Sequence, residues 1–113
     1  MSTLYSIESL KEIAGDDQDF MAVVAQTFLD EIPPDLKSMV EAVENDNREL
    51  AYQFAHKMKP NIEMFGIDLI KEITSIESWT RNAKNKKTIQ PTVEKVDETL
   101  NQAFEELKSD FNL

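Results

Sequence analysis

A single histidine is the most reactive side chain in this sequence of 113 residues, which contains no cysteine. Without cysteine the chain has no thiolate nucleophile and no disulfide, and one histidine cannot form a multi-histidine metal site. A neutral imidazole nitrogen can attack an activated phosphoryl group, and a nearby lysine can balance the phosphate charge. His56 has such a lysine, Lys59, three positions later. The residue types therefore permit covalent phosphoryl chemistry at His56.

Other chemistries have less support in the sequence. No serine lies in a nucleophile-elbow motif, which argues against a hydrolytic triad that uses His56 as its base. The Glu-x-x-His metal motif of ferritin-like proteins fails because position 53 is Gln53. The only glycines, Gly15 and Gly66, cannot build a Rossmann fingerprint or a phosphate-binding P-loop. We therefore expect no ATP site, no cofactor and no metal site in this chain.

Net charge and hydropathy restrict the partners. Twenty-two acidic residues against twelve basic ones give a net charge of −10 at pH 7. This charge argues against nucleic acid and anionic membranes, which require clustered lysine and arginine. No run approaches the ~18 apolar residues of a membrane span, and the N-terminus lacks the apolar stretch of a signal peptide. We expect a soluble, cytoplasmic protein whose partner presents a positive rim.

Apolar residues recur at helical spacing along most of the chain, and few segments alternate as strands do. The apolar positions form these stretches: Ile7, Leu10, Ile13 and Ala14; Phe20, Val24, Phe28 and Ile32; Leu36, Met39, Val40 and Val43; Leu50, Ala51, Phe54, Ala55, Met58, Ile62 and Phe65; Leu69, Ile70, Ile73 and Ile76; Val93, Val96, Leu100, Ala103 and Leu107. Short polar turns between the four substantial stripes imply an all-α, antiparallel four-helix bundle with additional N-terminal helices. The length fits one domain over residues 1–113.

Glycine and proline set several predicted boundaries. Gly15 is expected to end a short first helix, where a left-handed cap costs nothing. Pro33 and Pro34 fit the first turn of a helix, so they predict a break or kink followed by a restart. Residues 82–90 predict a loop, and Pro91 is expected to open the last helix. We assign no functional site to the only basic cluster of the sequence, which comprises Arg81, Lys84, Lys86 and Lys87.

The helix that carries His56 follows a polar turn and ends at Gly66. Asp46 with Glu49 can form a capping box at its start, and Asn47 is an equally good cap. At ~100° of rotation per residue, His56 lies ~160° from the centre of the apolar face of this helix. The imidazole should therefore be exposed on the outer wall of the bundle.

The helical neighbours of His56 form a polar surface around it; they are Tyr52, Gln53, Lys59, Pro60 and Glu63. An exposed histidine on a helix is usually only a polar surface residue. The angular position of His56 on the helix therefore places it outside the core. This position leaves open whether His56 has a function.

Residues 55–66, AHKMKPNIEMFG, resemble the signature of histidine phosphotransfer (HPt) domains. That signature reads A-H-x-L-K-G-S/A, with a glycine ten residues after the histidine. The Ala-His pair, an apolar residue at +2, lysine at +3 and glycine at +10 all match. The resemblance covers most of the chain, from about Ile7 to the last helix.

The resemblance implies a phosphoryl carrier in a multistep His–Asp phosphorelay. His56 would be the phosphoacceptor and donor, and Lys59 the charge partner of the phosphate. The implied partners are response-regulator receiver domains and a hybrid sensor kinase, with Mg²⁺ in the receiver domain and no kinase site in this chain. We expect a monomer that docks through the surface around His56, namely Tyr52, Gln53, Pro60 and Glu63. Whether the chain is free-standing or belongs to a longer hybrid kinase stays open.

Pro60 departs from the family pattern, which has glycine at +4. Because Pro60 lacks an N–H, the carbonyl of His56 loses its helical partner, and the ring should kink the helix. We interpret Pro60 as a tolerated kink. The alternatives are a helical adaptor that binds receiver domains without accepting phosphate and, less in keeping with the scarcity of His and Cys, an enzyme with an unrecognised site.

Overall fold

The computed structural model describes residues 4–79, 81 and 85–113 of the chain. The secondary structure of these residues consists of helices joined by short turns, with α1 (Ile7–Ala14), α2 (Gln18–Glu44), α3 (Arg48–Met64), α4 (Ile70–Trp79) and α5 (Lys86–Phe111). The predicted all-α class is therefore confirmed. Helix α1 packs on α2, and the other packed pairs are α2–α3, α3–α4, α4–α5 and α5–α2. The helix that carries His56, α3, thus lies between α2 and α4.

Every helix contributes to one continuous apolar core. Helix α3 buries Ala51, Ala55, Met58 and Ile62, which recur every three or four residues on one face. Burial of a side chain the size of Met58 or Ile62 contributes ~1.5–3 kcal/mol, so this face is firmly held inward. The opposite face of α3 must then point outward. Within the described ranges, no helix is both long and apolar enough to cross a membrane.

Helix α2 continues through Pro33 and Pro34, so of the predicted break or kink the break, with its restart, is wrong. Each proline removes a backbone donor and costs ~3 kcal/mol in a helix interior. The buried face nevertheless continues across them, with Phe28 and Ile32 before and Leu36 after. Packing of this uninterrupted face against the neighbouring helices outweighs the local cost, as it does for most helices in folded proteins.

The last helix begins at Lys86, ahead of the predicted start at Pro91. Asn85 caps it, because its side-chain oxygen accepts a hydrogen bond from the N–H of Thr88. Ile89 is buried and fixes this extra turn to the core. The predicted loop over 82–90 is therefore wrong from residue 86 onward, and residues 82–84 lie outside the described residues.

Both ends of α3 are set by residues with special backbone roles. Asn47 is the N-cap, with its side chain accepting a hydrogen bond from a first-turn N–H, while Asp46 takes the left-handed conformation with φ +54°. After the helix, Gly66 has φ +65°, and a Cβ there would lie 2.6 Å from Cβ of Ser6. Gly66 is therefore explained by the N-terminal segment that crosses it.

Arg48 ties the start of α3 to the end of α4. Its Nη1 donates to the carbonyl of Trp79 at 3.1 Å, and its guanidinium carbon lies 4.5 Å from the centre of the indole ring. Trp79 is fully buried beneath it. Because this contact joins the start of α3 to the end of α4, the two helices are antiparallel, and their packing brings Glu77 opposite His56.

Candidate functional site

His56 projects from the middle of α3, away from the core. Its side chain is 65% exposed, whereas Ala55 and Met58 on either side of it are fully buried. The predicted exposure of the imidazole is therefore confirmed. A partner can reach the ring without any rearrangement of the core.

Glu77 of α4 fixes the orientation of the imidazole. Nδ1 of His56 lies 2.8 Å from Oε2 of Glu77. Since an ionised carboxylate can only accept hydrogen bonds, the proton of this bond belongs to Nδ1. The neutral ring then keeps its lone pair on Nε2. Glu77 thus selects the tautomer in which Nε2 is the nucleophile.

Lys59 binds the other oxygen of the same carboxylate. Its Nζ donates to Oε1 of Glu77 at 3.1 Å, and the Glu77 side chain is only 12% exposed. Burial has the largest single influence on Glu77 and raises its pKa, but the hydrogen bonds and charges of His56 and Lys59 together outweigh burial and lower the pKa. Glu77 is therefore ionised at neutral pH, as the tautomer of His56 requires.

A cavity of about 220 Å³ opens between α3 and α4 beside the imidazole. Its lining consists of Tyr52, His56, Thr74, Glu77, Ser78 and Arg81. The ring of Tyr52 is parallel to the imidazole within 7°, with 5.5 Å between ring centres. Tyr52, predicted as a docking residue, therefore also flanks the His56 ring. The cavity brings cationic and hydroxyl groups to the nucleophile.

The other predicted docking residues, Gln53, Pro60 and Glu63, are all exposed on α3. Helix α3 continues through Pro60 to Met64. These side chains are accessible to a partner near His56, and their contact with one stays a prediction.

Two residues of this site were not predicted from the sequence. Glu77 lies 21 positions after His56 on another helix, and no local spacing links the two. Arg81 was assigned only to a basic surface cluster, of which Lys84 lies outside the described residues. Both reach His56 through the register of α4 against α3, which is set by tertiary packing.

An exposed apolar patch, formed by Ile13, Phe20 and Val23, was predicted in part as core. Phe20 is 46% and Val23 58% exposed, and with Met64 of α3 the patch borders a cavity of about 270 Å³. The assignment of Phe20 to a buried stripe is wrong, since this residue lies in the first turn of α2 and nearly half of it is exposed. Contiguous exposed apolar surface marks sites of protein association.

In the first turn of α3, too, an apolar residue that was predicted to be buried is exposed. Leu50 was assigned to the buried face and is 40% exposed. Helix ends extend past their neighbours, so apolar spacing overstates burial there. Of the central positions of the same stripe, Ala51, Ala55, Met58 and Ile62 are buried as predicted, and Phe54 is partly buried.

In the described ranges, no group of three or more His, Asp or Glu side chains is placed to hold a metal ion. Comparison of the chain with protein-family models, curated proteins and solved structures finds no match.

Proposed function

We propose that this chain is a histidine phosphotransfer protein that carries a phosphoryl group on His56 between receiver-domain aspartates in a multistep His–Asp phosphorelay. The observation that carries the proposal is the exposed imidazole whose Nδ1 is held by Glu77, with Lys59 on the same carboxylate. Together they supply an accessible nucleophile, a fixed tautomer and an adjacent cation. In this proposal α2 to α5 form the antiparallel four-helix bundle of the HPt family, and α1 precedes it.

Transfer starts from the neutral imidazole. The lone pair of Nε2 forms a bond to phosphorus while the P–O bond to the receiver aspartate breaks, and the aspartate leaves as a carboxylate. Nδ1 keeps its proton, so the phosphorylated ring carries a positive charge beside Glu77. A fixed negative charge at this point stabilises the charge that develops during transfer. The reverse reaction passes the phosphoryl group to the aspartate of a second receiver.

Lys59 provides the charge balance on the phosphoryl side. A phosphoryl group brings about two negative charges near neutral pH. In the resting protein the Nζ of Lys59 lies 3.1 Å from Glu77, one helical turn from His56. A phosphoryl group on Nε2 then competes with Glu77 for this ammonium group. Phosphoryl transfer depends mainly on such positioning and charge neutralisation.

The proposed partners are response-regulator receiver domains and a hybrid sensor kinase of a two-component system. The receiver supplies the acidic pocket and Mg²⁺, so this chain acts as a carrier without a kinase site and not as an enzyme. The surface around His56 and the exposed apolar patch supply the contact area. Met64, which borders the patch, lies eight residues after His56, or ~12 Å along α3. We propose a monomeric, cytoplasmic protein that does not bind nucleic acid or membranes.

Incubation with phosphorylated receiver domains and Mg²⁺ tests the proposal. We expect label to appear on this chain, and the label to be acid-labile and base-stable, as phosphohistidine is. The alternative is a non-phosphorylated helical adaptor that binds receiver domains. Complex formation without label would support the adaptor, and turnover of a small substrate would support an enzyme. Absence of both label and complex would contradict the carrier and the adaptor alike.

A further inference from the structure

Arg81 is a basic residue beside the proposed nucleophile. It lies in the turn after α4, where its N–H donates to the carbonyl of Ser78 at 3.0 Å, and it lines the same cavity as His56. Its side chain is exposed and forms no ion pair with any residue in the described ranges. Acidic residues outnumber basic ones by 22 to 12 in this chain. The lack of a carboxylate partner is therefore not due to scarcity of acids.

Lys59 and Arg81 flank the imidazole from opposite directions along the groove between α3 and α4. Lys59 lies one turn after His56 on α3, and Arg81 lies four positions after Glu77, in the turn that follows α4, and lines the cavity with Tyr52. The ammonium group of Lys59 is bound to Glu77. Arg81 brings a second positive charge to this cavity, and within the described ranges no carboxylate forms an ion pair with it.

We propose that Arg81 forms an oxyanion subsite that binds the phosphoryl group carried by His56. A guanidinium presents paired N–H donors that match two phosphoryl oxygens. The hydroxyl groups of Thr74 and Ser78 line the same cavity. Its volume of about 220 Å³ is several times the ~30 Å³ that a water molecule occupies in the liquid, so a phosphoryl group fits. This inference rests on the proposed phosphorylation of His56 and adds the residue that recognises its dianionic product.

Phosphoramidate tests the subsite without any receiver domain. Its P–N bond breaks as the Nε2–P bond forms, and ammonia leaves. Because His56 is the only histidine of the chain, the N-linked phosphorus-31 signal reports one position. Titration of this signal gives the apparent pKa of the phosphoryl group. A nearby cation favours the dianion, so Arg81→Gln should raise this pKa by about 0.5 unit or more. Arg81→Lys should restore part of the shift.

Lys37→Gln is the matched control, since it removes an exposed cation that lines the groove between α2 and α5 instead. We expect its titration to match that of the wild-type protein. An Arg81→Gln titration that matches wild type, or an equal shift in Lys37→Gln, would overturn the inference. Those outcomes leave the carrier function intact if receivers still label His56. The converse result is a pKa shift of the phosphoryl group that occurs only in Arg81→Gln while receiver domains fail to label His56. That result would support the subsite and contradict the carrier function.

Discussion

A lysine of α3 pairs with a carboxylate of α2, another lysine of α3 pairs with a carboxylate of α4, and the two carboxylates differ in what else they bind. Towards α2, Nζ of Lys57 lies 3.1 Å from Oδ1 of Asp35; towards α4, Nζ of Lys59 lies 3.1 Å from Oε1 of Glu77. The two carboxylates are similarly buried, with 9% and 12% of their side chains exposed. Only Glu77 also binds His56. An ion pair of the same geometry therefore joins two helices on one side and orients a nucleophile on the other.

The two lysines differ in exposure as well. Lys57 is 66% exposed and Lys59 is 28% exposed. Lys59 is therefore the more shielded of the two lysines, although both bind a largely buried carboxylate. The two ion pairs have the same N–O distance and similarly buried carboxylates, so these properties do not distinguish Lys57 from Lys59. What distinguishes them is that the carboxylate bound to Lys59 also binds His56. Matched substitutions in the two pairs can test this difference.

The largest effect is expected from His56→Gln, which should abolish phosphoryl acceptance. Glutamine has no ring nitrogen to attack phosphorus, and the site faces solvent, so the free energy of unfolding should change by no more than about 0.5 kcal/mol. A transfer assay and thermal melting measure the two quantities. Undiminished labelling in the variant would show that another residue carries the phosphate.

Glu77→Gln should slow acceptance by about tenfold, equivalent to ~1.4 kcal/mol of transition-state stabilisation. The amide cannot neutralise the charge that develops on the imidazole, and it no longer imposes the tautomer. The matched variant Asp35→Asn should leave the rate unchanged and lower the stability by up to ~1 kcal/mol. Single-turnover labelling and thermal melting of both variants provide the comparison. Equal rates for the two variants would remove the distinction between the pairs.

Lys59→Ala should slow transfer severalfold without preventing docking. It removes the cation that balances the phosphoryl charge, although partial exposure limits the loss. Lys57→Ala, on the other side of α3, should transfer at the wild-type rate. Receiver affinity should be the same for wild type and both variants. If Lys59→Ala and Lys57→Ala behave alike, Lys59 is a surface charge and nothing more.

Pro60→Gly should preserve or modestly increase the transfer rate. Glycine restores an N–H for the carbonyl of His56 and removes bulk from the docking surface. In a helix interior, glycine costs ~1 kcal/mol and proline ~3 kcal/mol relative to alanine, so stability should not fall. The variant is compared with wild type in single-turnover transfer. A folded variant that transfers much more slowly would show that Pro60 positions His56.

The smallest expected effect is a pH dependence of stability from Glu77. Its pKa in the folded protein is lowered from the ordinary value of 4.5. The stabilisation is therefore fully present above about pH 4.5 and is lost as the pH falls through the lower folded value. Wild type should be more stable than Glu77→Gln at pH 7, and this difference in melting temperature should narrow below pH 4.5. A constant difference across this range would mean that the carboxylate charge contributes nothing.

The features that depend on one helix at a time were predictable. The phase of His56 relative to the apolar face of α3 requires only the helical repeat, and its exposure is confirmed. Helix ends were predicted less well, because Pro33 and Pro91 suggested boundaries that local rules favour and tertiary packing overrides. Buried side chains on both sides of each proline keep α2 and α5 continuous.

The features that depend on two helices were not predictable. Glu77 and Arg81 lie beside His56 because of the way α4 packs against α3, and the contact of Arg48 with Trp79 is one part of that packing. A shift of α4 by one turn would move Glu77 away from the imidazole without changing any local pattern. Carboxylates are common in this acidic chain, so composition does not single one out.

The proposal that Glu77 orients His56 for attack through Nε2 is tested most directly by determining which nitrogen carries the phosphoryl group. The nitrogen-15-labelled chain is phosphorylated by a receiver domain, and phosphorus–nitrogen coupling is measured by NMR. Because Glu77 binds Nδ1 of His56, we predict that phosphorus is bonded to Nε2 and that Nδ1 retains its proton. Phosphorus on Nδ1, on another residue, or absent from the chain would contradict this account.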